Sequence, residues 1–190
     1  MRTRSFLSVF LGSLVFVTCA KADDPKSGPE VGKPAPGFEI KVVTGDDAGK
    51  AVDYLSRWEK KPVLLVFVGE LDRPAFGLLR QLDKYGRLRQ PDGLEVLIVR
   101  ATEETEAVAR QTKALNESYD VKSPAGFAAD GEKGPPGYGL HEEARMTVLL
   151  LDLEHKVRFN AARRAPDRTD FEAIRQAIDE LIGPSPVKFP

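Results

Sequence analysis

Few residues of this 190-residue chain have the chemistry to act on a substrate, and their distribution is informative. There is one cysteine, Cys19, and there are two histidines, His141 and His155. The His141-Glu142-Glu143 run lacks the His-Glu-x-x-His spacing of a zinc helix and has no cysteine beside it. No Ser-His-Asp arrangement stands out, and no glycine-rich phosphate loop follows a strand. The sharpest candidate is Asp72. It ends the turn Gly69-Glu70-Leu71-Asp72, between the apolar run Val63–Val68 and a segment opening with Arg73-Pro74. A carboxylate there either caps the next helix or serves as a general base or an anion-repelling group. Arg73 is either solvated or an anion ligand at the same helix end.

Two further features stand outside that turn. Gly134-Pro135-Pro136-Gly137-Tyr138-Gly139 reads as a stiff loop in which Tyr138 either packs down or is held toward a partner. Arg158, Arg163, Arg164 and Arg168 form a basic cluster, expected as a solvated face.

The elements that must position these residues can be read from periodicity. Val63 to Val68 is apolar without alternation, as in a strand buried on both faces. Arg73 to about Arg89 places Phe76, Leu79, Leu82 and Leu88 near one helical face. Leu94–Val99 is a second buried strand. Glu103–Tyr119 reads as a helix, with Thr102 able to cap it and Glu103, Glu104 and Glu106 favouring its N-terminal dipole. A short strand is expected at Gly126–Ala129 and a third apolar strand at Thr147–Leu151. Asp152–His155 reads as a hairpin turn leading into an alternating edge strand, Lys156–Ala161. Asp170–Ile182 is a terminal helix ended by Gly183-Pro184. Upstream, Phe38, Ile40 and Val42 alternate as in an edge strand, and Val52, Leu55 and Trp58 have helical spacing. This order gives an α/β protein, a mixed central sheet flanked by helices on both faces.

The N-terminus resembles a secretory signal. Arg2 and Arg4 precede the apolar run Phe6–Val17, which falls short of the about 20 residues a membrane span needs. Ala20-Lys21-Ala22 offers a small-x-small cleavage site that would leave Asp23 first. The competing reading lipidates Cys19, although Phe16 and Thr18 depart from that pattern. The expected organisation is a signal peptide at 1–22, a flexible leader at 23–30, one domain at 31–183 and a loose tail at 184–190. Cleavage after Ala22 removes the only cysteine, and with it disulfides, thiol chemistry and cysteine-based metal sites. The whole chain carries 28 Lys+Arg and 29 Asp+Glu, and the segment removed contains only basic charges, Arg2, Arg4 and Lys21. The mildly acidic remainder argues against nucleic acid or an anionic membrane as the main partner.

With those elements in place, a resemblance emerges. VGKPAPGFEI is similar to the VGxPAPDFxL opening of redoxin domains, the thioredoxin-like group of peroxiredoxins and thiol–disulfide oxidoreductases. KPVLLVFVGELDRPAFGLLRQL resembles that group's KPVVLVFWATWCGPCRxExPxL. Ser123–Asp130 resembles its YPVxxD segment, Tyr138-Gly139-Leu140 its YGV, and Met146–Asp152 its PTxFLID. The resemblance implies a thioredoxin-like three-layer α/β sandwich. It puts Asp72 and Ala75 where the two redox cysteines would stand, and Met146 at the position of a cis-proline. A non-proline residue there predicts a trans bond. The family's reaction needs a thiolate at the helix N-terminus, which this chain lacks. The expected protein is an exported domain, periplasmic or extracellular, without cofactor or metal. It would bind a protein or peptide of the cell envelope through Asp72, Arg73, Tyr138 and Met146. The alternatives are a member of a thiol–disulfide or antioxidant system acting with a cysteine-bearing partner, and a non-redox enzyme using Asp72.

Overall fold

The computed structural model describes residues 24–102, 106–128 and 133–189. Cys19, the expected signal peptide, Glu103 and Glu104, and Ala129 and Asp130 lie outside the described residues. The strands are β1 (Ile40–Val42), β2 (Ala51–Val52), β3 (Val63–Val68), β4 (Glu95–Arg100), β5 (Ala125–Ala128), β6 (Met146–Leu151) and β7 (Val157–Arg163). The α-helices are α1 (Tyr54–Arg57), α2 (Arg73–Arg89), α3 (Glu106–Tyr119) and α4 (Phe171–Ile182).

Seven strands form one mixed sheet in the order β2-β1-β5-β4-β3-β6-β7. β3 lies inside it, parallel to β4 and antiparallel to β6. Its six residues are all buried, because alternate side chains feed two separate apolar layers. Leu64, Val66 and Val68 join Met146, Val148 and Leu150 beneath α2 and α4. Val63, Leu65 and Phe67 join Leu149, Leu151 and Tyr138 on the opposite face, where α1 contributes Tyr54 and Leu55 and Trp58 comes directly after. The Tyr54 and Trp58 rings lie 4.7 Å apart. α3 sits beside α2, with Tyr119 and Phe76 ring centroids 4.5 Å apart.

α2 begins where the sequence places it, because Asp72 is extended and its side chain accepts the Ala75 N–H at 2.9 Å. Close approach fixes the packing of β5 against β1. An added Cβ at Gly126 of β5 would lie 2.4 Å from the Lys41 carbonyl oxygen of β1. Asp83, buried on α2, accepts from the backbone N–H groups of Lys122 and Ser123 at 3.0 and 2.9 Å and from the Ser123 hydroxyl at 2.8 Å. This carboxylate ties α2 to the loop that leads into β5.

Several expectations need correction. Val52 is in β2, not in a helix; α1 starts only after Asp53 caps it by accepting the Ser56 N–H at 3.1 Å. That addition makes β2 the edge and places β1 between β2 and β5. The short late strand begins at Ala125, and β7 runs two residues past Ala161. The leader is docked from Asp24 onward. Ser27 is buried, its hydroxyl lies 2.7 Å from that of Thr147, and Asn160 Nδ2 donates to the carbonyls of Ser27 and Pro29 at 2.9 Å each. The tail also folds back: the Phe189 ring sits 5.1 Å from Tyr85 and 5.2 Å from Phe171. The leader finds its partners on β6 and β7, and the tail finds its partners on α2 and α4. Among the described residues, no helix is long and apolar enough to cross a membrane.

Candidate functional site

The C-terminal ends of β3 and β4 and the start of α2 meet at a cleft of about 490 Å³. Its wall includes Gly69, Glu70, Leu71 and Asp72 from the turn, Arg100 and Thr102 from the end of β4, Gln111 from α3, and His141, Glu142, Ala144 and Thr147. Open α/β folds place ligand sites at this end of the strands, because loops diverge there and helix N-termini point inward.

Asp72 uses both carboxylate oxygens. Oδ1 accepts the Ala75 N–H, and Oδ2 accepts from Arg145 Nη1 at 2.9 Å. Arg145 also lies 3.6 Å from Glu70, and its carbonyl accepts the Gly69 N–H at 2.9 Å. The turn is thus clasped to the segment before β6 by backbone and side chain together. Both oxygens being engaged leaves Asp72 a cap and an ion-pair partner. Ala75 is buried beneath the helix, and Arg73 is exposed at its first position.

Two residues expected to bind a partner lie elsewhere than anticipated. Tyr138 is 1% exposed; its hydroxyl donates to the Pro36 carbonyl at 2.9 Å, and its ring stands edge-on to Phe38 and Phe67. Burial pushes its hydroxyl pKa well up, with Asp53 adding to the effect. The idea of Tyr138 presented on a rim is therefore corrected: the aromatic layer on that face takes the ring in. Met146 is fully buried opposite Val68, under α2. Strand alternation turns it into the core, and Arg145, one residue earlier, faces Asp72 instead. No cis peptide bond occurs among the described residues, so the bond before Met146 is trans.

The histidines are not brought together. The backbone N–H of His141 donates to Ser27 Oγ at 3.1 Å, whereas His155 occupies the β6–β7 turn with φ of 56°. Among the described residues, no three His, Cys, Asp or Glu side chains gather as a metal site would need. Three of the four arginines of the basic cluster pair with separate acidic partners. Arg163 pairs with Asp170 at 2.6 Å and Asp24 at 3.2 Å, Arg164 with Glu143 at 2.7 Å, and Arg158 approaches Asp152 at 3.7 Å.

Arg100 was not singled out from the sequence. It is the last residue of β4, yet only 6% exposed. Its Nη2 donates to the Gly69 carbonyl at 2.9 Å, and its buried Nε has no hydrogen-bond partner. Among the described residues no carboxylate pairs with it, and burial pulls its pKa below the usual guanidinium value. A charged residue closing the apolar run Val96–Val99, at the strand end where ligands gather, was the available signal.

No family model matches the chain, and no curated protein matches its sequence. Solved structures do match. A protein assigned as a disulfide isomerase from Bacteroides thetaiotaomicron superposes with a TM-score of 0.65 at 22% identity, over 84% of this chain and 96% of its own. A protein assigned as the thiol:disulfide interchange protein DsbE from Chlorobium tepidum gives 0.65 at 21% identity, over 81% and 99%. A DsbF homologue from Corynebacterium diphtheriae gives 0.61 at 17% identity, over 90% and 100%. The fold is thioredoxin-like. At these identities the likeness establishes architecture, and the site must be argued from its own residues.

Proposed function

We propose that this chain is an exported thioredoxin-fold binding domain whose cleft beside the β3–α2 turn captures a protein or peptide in the cell envelope, without thiol chemistry. The observation that carries this reading is the turn itself. Asp72 and Ala75 stand at the start of α2, Asp72 accepts from the Ala75 N–H and from Arg145, and a cleft of about 490 Å³ remains open next to them. A helix N-terminus activates a cysteine as thiolate; with a carboxylate there, no sulfur is available to attack a disulfide or peroxide.

Purified chain lacking residues 1–22 should neither reduce insulin disulfides nor turn over peroxide with a thiol donor. It should retain envelope ligands that Ala144→Trp, which fills the cleft, releases. Robust turnover by the chain alone would overturn the reading. The likeness to thiol–disulfide proteins supports a second reading, in which a partner supplies the cysteines. Activity that appears only on mixing with such a partner would favour it.

A further inference from the structure

Arg100 lines the cleft as a cation that makes one hydrogen bond, through Nη2, among the described residues. A guanidinium has five N–H donors in a planar fork. Here one bond goes to the Gly69 carbonyl, and Nε is buried and unpartnered. Taking a charge out of water is unfavourable unless an opposite charge and further hydrogen bonds compensate. Among the described residues, the other buried arginine shows what compensation looks like. Arg89 donates to Asp92 at 2.7 Å, to the Tyr85 hydroxyl at 3.0 Å and to the Gly183 carbonyl at 2.6 Å, and it pairs with Asp179. Arg100 has no such set among the described residues, and the open cleft lies against it.

The wall selects among anions. Glu70, Asp72 and Glu142 line the same cleft, and Arg145, 2.9 Å from Asp72 and 3.6 Å from Glu70, offsets only part of that negative charge. A dianion entering would meet those carboxylates. A single carboxylate would meet the guanidinium fork at depth, with Thr102 and Gln111 able to hydrogen-bond its remainder. The volume is of the order that holds a small organic acid or the last residues of a peptide. We infer that the cleft binds a monocarboxylate, held by Arg100 at the C-terminal end of β4. This rests on the binding-domain reading above and specifies the group its ligand presents.

The experiment titrates the chain lacking residues 1–22 with acetate, with N-acetyl-triglycine and with its C-terminal amide, against chloride and inorganic phosphate at matched ionic strength. Acetate should bind, raise the unfolding temperature and shift the Arg100 Nε–H resonance. Phosphate and chloride should do none of these. A free peptide acid that binds more tightly than acetate identifies a peptide C-terminus as the source. Acetate binding as tightly as the peptide acid identifies a free acid. Arg100→Met should weaken binding about 30-fold or more, the usual result of truncating one side of a buried charged contact. Arg100→Lys, which keeps the charge and loses the fork, should bind more weakly than wild type. If Arg100→Met does not fold, the Nε–H resonance of the wild type decides: no shift on saturation with acetate overturns the inference. Equal binding of the amide, or undiminished binding by Arg100→Met, also overturns it. If Ala144→Trp still blocks binding when Arg100→Met does not, the cleft reading stands and the role of Arg100 falls. Disulfide reduction by the chain would instead sink the binding-domain reading while leaving the Arg100 titration intact.

Discussion

At the residue scale, the turn before α2 shows how one side chain can serve two elements. Asp72 caps the helix through Ala75 and fastens the turn to Arg145. Capping contributes about 1 kcal/mol, and a half-exposed ion pair adds at most about as much again. Asp72→Ala should therefore lower unfolding free energy by about 1–2 kcal/mol in urea titrations. Asp72→Asn, which keeps a capping acceptor, should lose less. Equal losses would mean that the ion pair, not the cap, carries the effect. The cap was legible in the sequence, because an aspartate three residues ahead of the N–H that donates to it is a local pattern. Arg145 was not: it lies 73 positions from Asp72, and only the pairing of β3 with β6 brings them together. The same holds for Tyr138, whose placement depends on Pro36, Phe38 and Phe67 arriving from distant segments.

At the element scale, the long apolar segments announce themselves and the short ones do not. β3, β4, β6, α2 and α4 carry continuous or periodic apolar patterns that few alternatives satisfy. β2 has two residues, so Val52 offered no period and its spacing to Leu55 imitated a helix turn. Its existence depends on the ladder that β1 provides. β5 depends on a close approach of a different kind. With a Cβ at Gly126 placed 2.4 Å from a backbone carbonyl, no side-chain rotamer relieves the clash. Gly126→Ala should destabilise by about 1–3 kcal/mol, as forced overpacking does, measurable as a lower urea midpoint with unchanged slope. A neutral result would show that β1 and β5 can separate without cost.

At the scale of the whole molecule, both ends of the described chain are part of the structure. Asp24 pairs with Arg163, Ser27 meets Thr147, and Phe189 completes an aromatic group with Tyr85 and Phe171. A protein ending at Gly183 should lose roughly 1–3 kcal/mol, the range for exposing one large apolar side chain. Thermal unfolding followed by circular dichroism would measure it. Arg89 should keep its bond to the Gly183 carbonyl in that variant, so the junction of α2 and α4 should persist. Proline and glycine content made these ends look like linkers. Composition describes what a segment can do alone; here the surfaces offered by β6, β7, α2 and α4 decide.

The chain has a single tryptophan, and Trp58 lies against Tyr54 in the layer under α1, away from the cleft wall. Its emission therefore reports one event cleanly. Opening that layer to water should move the emission to longer wavelength, whereas filling the cleft should leave it nearly unchanged. Unfolding can thus be followed by emission in the presence of ligand, with no label attached and no contribution from occupancy of the cleft.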